Sequence, residues 1–151
     1  AYAAGMTAAL DRLLASAAAR DFGEGGTLLE DPAIRRRFAR LYTDVHAIHA
    51  AEQRMMAAIA RGRSPGPASS MLKVQGTEAQ QRIQELAVDI AGPYAAPHQF
   101  EARAPGSNLP FVGPEDDLTA SARYFNGRAA SIYGGSNEIQ RNIMAKLMLG
   151  L

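Results

Sequence analysis

The sequence predicts an all-α protein, an antiparallel up-and-down four-helix bundle with an extra short C-terminal helix. Three observations carry that reading. Segment after segment places apolar residues three and four apart, the mark of a helix with one buried stripe. No segment alternates apolar and polar residues in the manner of a half-buried strand. The 151 residues, 47% of them hydrophobic, suffice for one compact domain with a core and are too few for two.

The first helix aligns Met6, Leu10, Leu13 and Ala17 and runs down to the turn "DFGEGG" at Asp21 to Gly26. Those letters contain a kinase magnesium motif, but no other kinase element accompanies them, and the stretch reads as a helix terminator followed by a glycine-rich turn. The second helix opens at Asp31-Pro32, an N-cap followed by proline at the first helical position. Its seam carries Ile34, Phe38, Leu41, Val45, Ile48, Met55 and Ile59 and ends at Arg61-Gly62, a near-heptad run typical of a long bundle helix. After the "SPGP" turn, the third helix presents Leu72, Ala79, Ile83, Leu86 and Ile90 and stops at Gly92-Pro93. Gly76 and Ala79 on that stripe leave room for a neighbouring helix to come close.

From Pro93 to about Asp117 lies a proline-rich stretch without a period, long for a connection inside one domain. A fourth helix is expected from about Asp117 with Leu118, Ala122, Phe125 and Ala129 on its inner side. A fifth follows Ser136 with Ile139, Ile143 and Leu147.

Sixteen basic and fifteen acidic residues leave a net charge of +1, which gives no general attraction to nucleic acid or to an anionic membrane. The cluster Arg35, Arg36 and Arg37 reads as a solvated helix face. Cysteine is absent, so disulfide and thiolate chemistry are excluded, and a cytoplasmic setting is expected. No apolar run reaches the roughly 18 residues of a membrane span. The chain begins inside a helical pattern without an initiating methionine, as a piece of a longer protein would.

Few residues point to chemistry. His46 and His49 stand one turn apart but lack a third ligand, so no metal site is expected. Glu52 falls on the apolar stripe of the second helix, where a carboxylate is costly unless paired, and reads as half of an ion pair or a subunit contact rather than as a catalyst. The segment "SIYGGSNEIQRNI", Ser131 to Ile143, is the most specific. Gly134 and Gly135 let a backbone approach a ligand, and Ser136 can cap a helix whose free amides favour negative charge. On physical grounds alone an ordinary interhelical turn remains the simpler reading.

The wording of that segment changes the balance. "IYGGSNEIQRNIMAKLMLGL", Ile132 to Leu151, resembles the C-terminal signature of the acyl-CoA dehydrogenases, almost position for position. "RDFG" at Arg20 to Gly23, "ELAVDIAGPYA" at Glu85 to Ala95 and "ARYFNGRAASIYGG" agree with the same family in order. The resemblance implies that residues 1–151 form the C-terminal helical domain of a flavoenzyme whose N-terminal helical and central β domains are absent from this chain. It implies FAD as cofactor, an acyl-CoA thioester as substrate dehydrogenated at its α,β bond, an electron-transfer flavoprotein as electron acceptor, and a homo- or hetero-tetramer. On its own the chain is expected to be inactive.

Carried over by the resemblance, Tyr133, Gly135, Ser136 and Glu138 belong beside the cofactor, and Arg20 and Gly92 near a neighbouring subunit's FAD. Three departures stand out. Where many members carry an arginine this chain has Ala19, with Arg20 one residue and about 100° of helix rotation later. Asp89 and Pro93 replace a glutamine and a glycine, leaving Gly92 alone of that group. At Gly134 many members carry the glutamate that removes the α-proton; here only a backbone amide is left to meet the thioester carbonyl, and the base must come from elsewhere. Two other readings stand beside this one: a non-catalytic assembly domain of a mixed complex, and a flavin oxidase or monooxygenase on the same fold.

Overall fold

The computed structural model describes residues 2–23 and 25–150, and it is an all-α bundle. Helix α1 (Tyr2–Ala19) leads through a small antiparallel pair, β1 (Asp21–Gly23) with β2 (Gly26–Thr27), and a 3-10 turn at Leu28–Glu30 into α2 (Pro32–Ala60). The expected glycine-rich turn is therefore a tight hairpin. Gly23 and Gly25 both take φ of 84°, a conformation that favours glycine. Helix α2 starts as read, with the Asp31 carboxylate accepting from the Ala33 amide and proline in the first turn. Helix α3 (Pro67–Ala91) is the central element, since α1, α2, α4 (Ala120–Gly127) and α5 (Asn137–Leu149) all pack against it.

The main core lies where α1, α2 and α3 meet. Met6, Leu10 and Ala17 of α1 close on Phe38, Leu41, Val45 and Ile48 of α2 and on Ala79, Ile83, Leu86 and Ile90 of α3, as their spacing predicts. The close approach expected at Gly76 is made by the ring of Tyr2, whose Cε1 lies 2.4 Å from where a Cβ would stand. The long seam of α2 falls short of expectation at its end. On α2 burial stops at Ile48; Met55 is only partly covered and Ile59 is exposed.

The shorter helices turn a different face inward from the one expected. The buried positions around α4 are Asp117, Ala120, Gly127 and Ala130, while Phe125 is 71% exposed. Small residues win this interface because α4 comes very near α3: a Cβ on Gly127 would lie 1.9 Å from Gln84 Oε1. Helix α5 buries Asn137 and half-buries Gln140, Met144 and Ala145, leaving Ile139, Ile143 and Leu147 exposed. The long connection before α4 is ordered by its own contacts. Gln99 clasps Val112 with Nε2 donating to its carbonyl (3.0 Å) and Oε1 accepting from its amide (2.6 Å). No described helix is long and apolar enough to cross a membrane.

Candidate functional site at the glycine loop

The loop Ile132 to Ser136 is held from both sides by α3. On the entering side, Gln81 Nε2 donates to the carbonyls of Gly127 (3.2 Å) and Arg128 (3.3 Å) and to Ser131 Oγ (3.3 Å). Arg128 answers with Nη2 on the Gln81 carbonyl (3.0 Å) and Nη1 on Glu85 (2.9 Å), and its guanidinium lies 4.4 Å from the Tyr124 ring centre. On the leaving side the first residue of α5, Asn137, is 4% exposed; its Oδ1 accepts from Lys73 Nζ at 2.8 Å and Thr77 Oγ1 at 3.2 Å. Ser136 caps α5, its hydroxyl accepting from the Ile139 amide at 3.4 Å.

Between these anchors Gly134 and Gly135 take φ of 67° and 84°. A side chain is disfavoured at both by backbone geometry. They differ in surroundings. Open space surrounds the Cβ position of Gly134, whereas a Cβ on Gly135 would meet Gln140 Nε2 at 2.7 Å. That same Nε2 donates to the Gly134 carbonyl at 3.3 Å, which fixes the peptide from behind. Among the described residues neither glycine's amide donates to an acceptor. Tyr133 is 63% exposed beside them. Glu138, in the first turn of α5, is exposed; hydrogen bonding by its own amide and then by the Ser136 hydroxyl holds its pKa below the ordinary value of 4.5.

A cavity of about 380 Å³ opens beside the loop, bounded by Tyr133, Gly134 and Ala130, by Leu72, Lys73 and Thr77 of α3, by Ile48, Glu52 and Met55 of α2, and by Tyr2. Glu52 forms no ion pair among the described residues; its oxygens accept from the amides of Tyr2 (2.7 Å) and Ala3 (3.2 Å). Burial, with a lesser contribution from Tyr133, raises the Tyr2 hydroxyl above its ordinary pKa of 10.0.

The other residues placed near a flavin by resemblance stand apart from this loop. Arg20 is paired with the buried Asp117 (Nη2 to Oδ2, 2.7 Å) and donates to the Ala91 carbonyl at 3.3 Å. Gly92 ends α3 with φ of 54°, and Asp89 nearby is paired with Arg37. Of the histidines on α2, both exposed, His46 shares a hydrogen bond of 2.7 Å with the Tyr42 carbonyl through Nδ1. The anchors Gln81, Arg128, Lys73 and Asn137 escaped the sequence reading. Their one signal is a polar residue on each inward turn of α3, at Lys73, Thr77 and Gln81, facing the loop.

The family model "Acyl-CoA dehydrogenase, C-terminal domain" matches residues 1–149. The acyl-CoA dehydrogenase IpdE1 of Mycobacterium tuberculosis is 34% identical over 128 residues, covering 81% of this chain and 28% of the relative. Its counterpart of the same name in Mycolicibacterium smegmatis is 30% identical over 122 residues, covering 81% of this chain and 26% of the relative. The chain therefore spans little more than a quarter of the length of these curated relatives. Among solved structures, the FAD complex of PigA superposes with a TM-score of 0.77 at 19% identity, covering 99% of this chain and 34% of that one. The Tcur3481-Tcur3483 steroid ACAD gives a TM-score of 0.70 at 26% identity, covering 97% of this chain and 34% of that one. The ChsE4-ChsE5 complex from Mycobacterium tuberculosis gives 0.74 at 23% identity, over 99% of this chain and 35% of that one. The chain belongs to the acyl-CoA dehydrogenase family, as its C-terminal helical domain.

Proposed function

We propose that, within the acyl-CoA dehydrogenase family, this domain supplies the glycine-loop wall of an active site that dehydrogenates an acyl-CoA thioester with FAD. The observation that supports this reading is the pair of unbonded amides at Gly134 and Gly135, held by α3 and α5 beside an apolar cavity. FAD, when bound, supplies a hydride acceptor for the β-hydrogen. The loop fits the polar edge of such a group: Tyr133 is an exposed aromatic, Gly135 and Ser136 expose backbone and hydroxyl, and Glu138 lies one turn into the capped helix.

The chain's own part in the reaction is electrostatic. As the α-carbon loses its proton, negative charge moves onto the thioester oxygen, and in this reading the unbonded Gly134 N–H donates to it. A fixed donor of this kind contributes roughly 3–4 kcal/mol to the transition state. Gly134 has no side chain to accept the proton, so the base is a glutamate upstream in the intact protein or in a partner subunit. Arg20 could reach a neighbouring subunit's FAD phosphates only by giving up Asp117, and Gly92 would offer backbone alone. A mixed tetramer, in which the second kind of subunit completes the flavin site, answers both gaps, and the two-chain relatives favour it. Electrons would pass on to an electron-transfer flavoprotein.

The test uses the intact protein with any partner subunit. Each glutamate upstream of this domain, and each in the partner's corresponding helices, is replaced by glutamine and α,β-dehydrogenation is assayed. One replacement should abolish turnover while FAD stays bound. Full activity in every variant would overturn the assignment.

A further inference from the structure

Within the glycine loop, the peptide group between Gly134 and Gly135 has little to hold it. Before it, the amides of Ile132 and Tyr133 donate to the Ala129 carbonyl at 2.9 and 3.1 Å. After it, Ser136 caps α5 and its carbonyl accepts from the Gln140 amide at 2.9 Å. Among the described residues the middle peptide makes one hydrogen bond, from Gln140 Nε2 to the Gly134 carbonyl at 3.3 Å. Both flanking residues are glycine, with φ of 67° and 84°. Turning the peptide over needs opposite changes in ψ of Gly134 and φ of Gly135, and residues without a Cβ allow both. In a planar trans peptide the C=O and N–H point in opposite directions, so turning over puts an acceptor where a donor was.

We infer that Gln140 is the positioning residue that keeps this peptide from turning over, holding the Gly134 carbonyl toward α5 and the Gly135 N–H away from it; the consequence for the reaction rests on the acyl-CoA reading above. Gly135 fits the same arrangement from the other side. A Cβ there would lie 2.7 Å from Gln140 Nε2, so the absence of a side chain is what leaves the amide its place. Gln140 itself is half-buried and belongs to α5, whose start is fixed by the Ser136 cap and the buried Asn137. The helix, and not the loop, therefore sets where the holding amide stands. A carbonyl turned outward next to the Gly134 N–H would oppose the negative charge that gathers on the thioester oxygen. The hold thus acts on the transition state more than on substrate binding.

The experiment compares Gln140→Glu and Gln140→Met with the wild type, in the full-length protein with any partner subunit. Ionised glutamate keeps the shape of glutamine but only accepts, so it releases the carbonyl and rewards the turned-over peptide, whose N–H then faces it. Crystal structures read the direction of the Gly134 carbonyl, which should point toward α5 in the wild type and away from it in Gln140→Glu. Turnover of saturated acyl-CoA thioesters, from butanoyl-CoA to hexadecanoyl-CoA and including branched chains, is the second readout. At equal FAD content kcat should fall about fivefold in Gln140→Met, the yield of one neutral hydrogen bond, and more than about tenfold in Gln140→Glu. KM should stay within about twofold of the wild type, as for an interaction felt in the transition state. An unturned carbonyl in Gln140→Glu, wild-type kcat in both variants, or a loss carried by KM alone would overturn the inference. If Gln140→Glu does not fold, the kcat of Gln140→Met decides. If the wild type turns over none of the thioesters, the acyl-CoA reading is what fails, and the carbonyl directions alone decide whether Gln140 holds the peptide.

Discussion

The junction of α1, α2 and α3 and the end of the molecule bearing the glycine loop and α5 use apolar residues in opposite ways. In the first, Leu10 and Leu86 are completely buried. In the second, Leu147, Met148 and Leu149 are 62%, 69% and 70% exposed, and Tyr133, Ile132 and Phe125 join them at the surface. One region spends its hydrophobic residues on its own core. The other holds a short backbone segment rigidly by polar contacts and leaves apolar side chains for something else to cover, as expected where a domain meets its neighbours.

The contrast is broken most sharply from the core side. Leu86→Ala should destabilise the protein by about 3–4 kcal/mol, because a fully buried side chain on the central helix is lost and α1 and α2 cannot both collapse onto the gap. Denaturant unfolding measures it, and a loss below about 1 kcal/mol would show that the junction is not the main core. Next comes the clamp between α1 and the approach to α4. Asp117→Ala leaves Arg20, 18% exposed, with only carbonyl and hydroxyl partners, at a cost of about 3 kcal/mol. Arg20→Met combined with Asp117→Leu should recover most of that loss, since it removes both charges together.

The loop end should respond more gently. Ser136→Ala removes the cap of α5 and should cost about 1 kcal/mol. Near this cap the pH dependence has a definite sign. Glu138 has a folded-state pKa below 4.5, so its contribution is present above that value and is lost as pH falls through the lowered pKa. In Ser136→Ala, one of the two hydrogen bonds behind that shift is gone, and an NMR titration should find Glu138 closer to its ordinary value. Smallest of all, Leu147→Ser should change unfolding free energy by less than about 0.5 kcal/mol while reducing self-association seen by light scattering. A large stability loss there would place α5 in the core after all.

The same contrast explains what the sequence could convey. The long helices were legible because a stripe repeated over many turns leaves little choice of inward face, as Leu10, Val45 and Leu86 show. Helix α4 spans only eight residues, and there Phe125 outweighs Ala120 and Gly127 in any apolar count although the small residues are the buried ones. On α5 the stripe of Ile139, Ile143 and Leu147 was read as facing inward, yet in the domain it faces out. The periodicity was real, and no described residue covers that face. At the candidate site, Gly134 and Gly135 announced a special backbone. Gln81, Lys73 and Asn137, which hold that backbone, are ordinary polar residues more than forty positions from the groups they bind, and only the folded chain brings them together.

The account turns on the Gly134 amide as a hydrogen-bond donor to the reacting thioester. Semisynthesis of the intact protein with an ester oxygen in place of that one peptide N–H removes the donor and leaves every side chain unchanged. With FAD content held at the wild-type level, the dehydrogenation rate should fall by about 100- to 1,000-fold, as expected when one donor to a developing oxyanion is lost. An ester-substituted enzyme with bound FAD and wild-type turnover would contradict the account.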